Sequence, residues 1–208
     1  LFGKNTIGGA LSIIRTAPTK EFGGKVQGTL GEHGRQDIRG LLNLPLTDKG
    51  GIKLFVSKLE SDGYIRNTTY NKDQGGQNLE DYGATIAYQF TDTFDLLFTA
   101  QRTVDKSEVG AWADVNKKDF VAFEDAACLL TGPSFYGCFV SDTGSDEDHS
   151  STNAPNNGDT TNDFYNLTMN YDVNDWIVTS ITGYIDRDED ARLEYDGNSL
   201  EFLYVDTD

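Results

Sequence analysis

Few residues of this chain have the type and spacing that chemistry requires. His33 and His149 are its only two histidines. His33 precedes Gly34 in a tight-turn sequence, and His149 follows Asp146-Glu147-Asp148 in an acidic stretch. Neither has a serine or cysteine placed for nucleophilic work, so both read as surface side chains. Gly28, Gly31 and Gly34 recur without the pattern of a dinucleotide or phosphate loop, and no helix follows them. The expectation is a protein that is not an enzyme and carries no bound cofactor.

Other groups admit binding. The stretch Asp142 to Asp163 contains no Lys or Arg, and its carboxylates would attract a hard cation such as calcium. It lacks the ligand order and turn glycine of a calcium loop, so a solvated loop is the expected reading. Asp186, Asp188 and Asp190 share one side of an extended segment, where they bind a cation or simply prolong a strand. Cys128 and Cys138 stand in a polar loop with no further ligands at zinc spacing. A loop-closing disulfide is favoured there over free thiols. The same loop keeps Trp112, Phe120, Phe123, Phe135, Tyr136 and Phe139 among polar residues. Aromatics in a long loop pack on one another or on a ligand, so Trp112, Phe135 and Tyr136, with Tyr64, Arg66 and Asn67 of an earlier loop, are the candidate solute contacts. Ala113 to Ala127 is expected to form a short helix.

Charge narrows the partners. A formal net charge of −17 excludes a nucleic-acid binder, which needs clustered Lys and Arg. No apolar run approaches the roughly 18 residues of a membrane helix, so any span of a bilayer would be made by strands.

The elements that must hold these residues read as strands. Apolar and polar residues alternate through Gly24–Gly31, Gln36–Pro45, Ile52–Asp62, Tyr82–Phe90, Phe94–Gln101 and Tyr165–Tyr171, and a seventh segment runs from Trp176 to Ile185 with apolar residues on both sides. Three connections are short and alike: Leu46-Thr47-Asp48, Phe90-Thr91-Asp92 and Val173-Asn174-Asp175. The connections between them, Gly63 to Asn78 and Lys106 to Thr161, are long and polar, and Glu32 to Arg35 is the short exception. Short turns at one end and long loops at the other describe a bacterial outer-membrane barrel. Aromatic residues near strand ends, among them Tyr88, Phe90, Phe94, Tyr171 and Trp176, fit a girdle at lipid headgroups.

The opening stretch, LFGKNTIGGALSII from Leu1 to Ile14, resembles the end of the plug domain of TonB-dependent outer-membrane receptors. The resemblance implies that residues 1–20 end a plug and residues 21–208 begin an outer-membrane β-barrel. The expected fold is all-β: a partial transmembrane antiparallel barrel of about seven strands with the tail of a plug. Seven strands cannot close a transporter barrel of roughly 22, so the chain is expected to be a portion of something larger. The function implied is active uptake of a bulky, scarce solute, foremost an iron-siderophore complex. Its partners would be outer-membrane lipid and TonB, the latter acting through a segment not in this sequence. The competing reading is a secreted or surface β-rich module that binds glycans or mediates adhesion. The discriminator is one face: Val26, Leu42, Leu54, Ile86, Leu96 and Leu167 should form an outward band with nothing packed on it in a barrel, and should be roofed by a second sheet in a sandwich.

Overall fold

The computed structural model describes residues 16–108, 149–150, 152, 157–194 and 204–207. Its main body is one antiparallel sheet in the order β1-β2-β3-β6-β7-β9-β10-β11. The long strands are β1 (Gly23–Leu30), β2 (Gln36–Thr47), β3 (Gly50–Ser61), β6 (Gln77–Thr91), β7 (Phe94–Asp105), β9 (Asn157–Val173) and β10 (Trp176–Glu194). A short β11 (Tyr204–Thr207) pairs with the far end of β10. The sheet is not closed, since β1 and β11 each have a neighbour on one side only. A second sheet joins β4 (Ile65–Asn67), β5 (Lys72–Gln74) and β8 (His149–Ser150).

All seven expected strands are present and pair in sequence order once the second sheet is set aside. Several run further toward the long loops than alternation alone indicates. Strand β9 begins at Asn157 and β10 reaches Glu194, because Thr160–Asp163 and Asp186–Asp190 continue the ladder with polar residues. Asp186, Asp188 and Asp190 therefore prolong a strand. At the other end β2 and β6 carry register shifts between Pro45 and Thr47 and between Gln89 and Thr91. Pro45 stands next to that bulge and beyond the last β1 pair at Asn43, places where a residue without an N–H is tolerated. The helix expected at Ala113 to Ala127 lies outside the described residues.

Directly paired residues of an antiparallel ladder share a face, so the register assigns every side chain. One row runs Leu44, Ile52, Ile86, Phe98, Leu167 and Thr182, and the next runs Leu42, Leu54, Ala84, Ala100, Tyr165 and Tyr184. Val26 and Leu96 lie on the same face, so the six discriminating residues form one set. The opposite face carries Asn43, Lys53, Thr85, Thr99 and Asn166 in one row and Arg39, Ser57, Asp81, Thr103 and Asn162 in another. Strand β10 was ambiguous by sequence. Its Trp176, Val178 and Tyr184 belong to the apolar face, and Ile177, Ile181 and Ile185 to the polar one.

Burial is inverted relative to a water-soluble protein. Ile65 and Ala191 are the only buried hydrophobic residues among those described, whereas Lys53, Thr85 and Thr99 on the polar face are buried. Val26, Leu54, Val56, Tyr82, Tyr165 and Tyr184 on the apolar face are exposed. Among the described residues each strand of the large sheet packs only against its ladder neighbours, so no second layer covers that face. A free apolar surface of this extent is unfavourable in water and marks a face that meets something else.

Candidate functional site

The described residues hold two places where side chains converge, one at the long-loop end and one on the polar face.

At the long-loop end, the connection from β3 to β6 folds into the β4–β5 hairpin. Asn71 and Gly75, both at positive φ, shape its turn and its exit. Strand β4 also pairs in parallel with β8, Arg66 opposite His149 and Asn67 opposite Ser150. The two long connections are thereby joined into one unit. Between them lies a polar knot of Asn67, Gln74, Ser150 and Thr152, all buried. The Asn67 amide Nδ2 donates to the Thr152 carbonyl at 2.9 Å and to its Oγ1 at 2.8 Å, while Asn67 Oδ1 accepts the Tyr70 N–H at 2.8 Å. Gln74 Nε2 donates to Thr152 Oγ1 at 3.1 Å, and Thr68 N–H donates to the Ser150 carbonyl at 2.8 Å. A buried network with its groups satisfied specifies a single arrangement, since losing one member strands the others without water. Glu108 adds a second tie, accepting from Lys72 Nζ at 3.0 Å and from Gly75 N–H at 2.8 Å.

The candidate contacts fall out unequally on this unit. Tyr64 is exposed, and Arg66 is half-exposed with its guanidinium donating to Asp73 at 3.1 Å and to Asn71 Oδ1. Asn67 is closed off inside the knot, so its side chain holds the loops together and offers no surface to a solute. Trp112, Phe135, Tyr136, Cys128 and Cys138 lie outside the described residues. Sequence reasoning missed Gln74, Ser150 and Thr152, because polar residues in a polar loop give no sign of being buried.

Beside the first reversal, Arg35 donates to Asp37 at 2.8 Å. The hydrogen bond and then the charge of Asp37 hold the Arg35 guanidinium above its ordinary pKa. The same reversal is tied to the start of the next long connection, where Asp62 N–H donates to the His33 carbonyl at 2.8 Å. The one short reversal at this end is thus built into the loop assembly.

On the polar face, Thr85 and Thr99 share a hydrogen bond of 3.2 Å, and Asp81 accepts from Thr103 at 2.9 Å and from Gln101. Near the short-turn end the chain's own segment Thr16–Lys20 lies against this face. Lys53 Nζ donates to the Thr16 carbonyl and to its Oγ1 at 3.2 Å. No group of three or more His, Cys, Asp or Glu side chains is placed to hold a metal among the described residues.

No protein-family model matches the chain, and no curated protein does either. Among solved structures it is similar to the ferric yersiniabactin uptake receptor FyuA from Yersinia pestis, with a TM-score of 0.60 and 14% sequence identity. The match covers 86% of this chain and 25% of that one. The chain spans about a quarter of the receptor's length, and at this identity the likeness concerns the fold. The open antiparallel sheet is therefore folded like part of the wall of a β-barrel receptor.

Proposed function

We propose that the chain is part of an outer-membrane TonB-dependent receptor that takes up a bulky, scarce solute, with an iron-siderophore complex as the foremost cargo. Residues 1–20 end the plug and residues 21–208 form the first part of the wall. The observation that carries this reading is the inverted sheet. Among the described residues its apolar face is uncovered, and its polar face receives the segment that precedes the first strand.

The dimensions support the reading. Eight residue steps separate Phe94 from Arg102 on β7, about 26 Å along the strand at ~3.3 Å per residue. At a tilt of roughly 40° that becomes about 20 Å, of the order of the apolar band of about 25 Å in such barrels. The band is bounded by aromatics at both ends. Tyr88, Phe90, Phe94 and Tyr171 form a contiguous ring cluster at the short-turn end, with centroids 4.9 to 6.4 Å apart. Tyr165 and Tyr184 face each other at 6.2 Å on the other side, beyond which charged pairs such as Arg102–Asp163 and Lys58–Glu80 begin. Lipid on the apolar band would replace the missing hydrophobic core. Energy would come through TonB and not from a cofactor, and Tyr64 and Arg66 on the locked loops would meet the solute from outside.

The test uses the full-length receptor. It should sediment with outer membranes, migrate on gels as a heat-modifiable barrel, and support TonB-dependent uptake of radioactive iron from at least one ferric siderophore. A water-soluble protein whose apolar face is roofed by another layer of the same chain would overturn the proposal.

A further inference from the structure

We infer that Lys53 is a positioning residue, a clasp that fixes the point at which the chain leaves the lumen-side segment and enters the wall. The inference rests on the receptor reading above, and it assigns to one side chain the job of holding the boundary between plug and barrel.

Three observations on the same square of sheet carry it. Lys53 lies early in β3, near the short-turn end and on the polar face, and is only 5% exposed. An ammonium is strongly hydrated, and burying it is costly unless other groups replace the water. The Thr16 carbonyl and hydroxyl do so, both from a single residue 37 positions upstream. Two residues earlier in β3, Gly51 lets the backbone of that same segment lie directly on the wall. A Cβ at Gly51 would stand 2.7 Å from the Thr19 carbonyl oxygen and 3.5 Å from Pro18 Cβ. The opposite residue in the β2–β3 register, Asn43, has its Oδ1 buried as well. A glycine that admits the backbone and a lysine that grips its carbonyl two residues away make a seat for Thr16–Thr19. The segment is held at one height on the wall.

Hydrogen exchange read by mass spectrometry on the full-length receptor tests this. In Lys53→Met the amides of residues 16–22 should exchange at least tenfold faster than in the parent, while peptides from β6 and β7 keep their protection. Lys53→Arg, which retains a charged donor, should stay within about threefold of the parent. Gly51→Val should loosen the same segment with Lys53 intact. Unchanged exchange in Lys53→Met, or loss of protection throughout the sheet in Lys53→Arg as well, overturns the clasp. Heat-modifiable migration of each variant reports separately on the receptor reading, which fails if the parent itself forms no barrel.

Discussion

The two faces of the large sheet are made from the same strands, yet they solve opposite problems. On one, Leu42, Leu54, Ile86, Phe98 and Leu167 lie in unbroken rows with no other strand of the described residues above them. On the other, Lys53, Thr85 and Thr99 are buried and hydrogen-bonded, and Asp81 is held by Gln101 and Thr103. In a soluble sheet protein burial follows hydrophobicity. Here the greasier face is the more open one, a distribution that fits the proposed contact of that side with lipid.

The contrast breaks most readily at neighbouring residues that point opposite ways. Leu167→Lys places an ammonium near the middle of the apolar band and should destabilise the full-length protein in lipid vesicles by about 2–4 kcal/mol. Thr168→Lys, one residue on and facing the other way, should change it by less than about 1 kcal/mol. Reversible denaturant unfolding compares the two, and equal losses would remove the distinction between the faces.

A smaller effect belongs to the loop knot. Asn67→Ala takes one hydrogen bond each from the Thr152 carbonyl, the Thr152 hydroxyl and the Tyr70 N–H, a cost of about 1–3 kcal/mol. The cost should be local: amides of β4, β5 and β8 lose protection in hydrogen exchange while β2 and β3 keep theirs. Smaller again is the aromatic cluster, where Phe94→Leu removes ring contacts with Phe90 and Tyr171 worth about 0.5–1.5 kcal/mol. That change should shift the unfolding midpoint slightly. Least of all, Lys72→Gln removes an exposed pair with Glu108 and should cost no more than about 1 kcal/mol, vanishing in high salt.

The strands were legible because alternation is a local signal that survives whichever medium lies outside. Tyr82, Ala84, Ile86, Tyr88 and Phe90 give it plainly, and the Thr-Asp and Asn-Asp turns mark where the chain reverses. The polar ends of β9 and β10 were less so, since Asp163 and Asp186 face each other beyond the apolar rows and look like loop residues. The sidedness of β10 depended on register with β9, which no single segment encodes. In the loops, Tyr64 and Arg66 were recognisable by type, whereas Asn67 gave no hint that Thr152, distant in sequence, would enclose it. Pairings between residues so far apart are set by the assembled loops and not by spacing.

The central claim is that the apolar rows face acyl chains. It is tested most directly by nitroxide labels at Leu54→Cys, Ile86→Cys and Leu167→Cys, against Lys25→Cys and Thr168→Cys, in the full-length receptor in bilayers with Cys128 and Cys138 changed to Ser. Collision with oxygen should be high and with a water-soluble nickel complex low at the first three positions, and oxygen access should drop at the other two. Labels at all five sites reporting water, or the first three shielded from oxygen and nickel alike, would contradict the account.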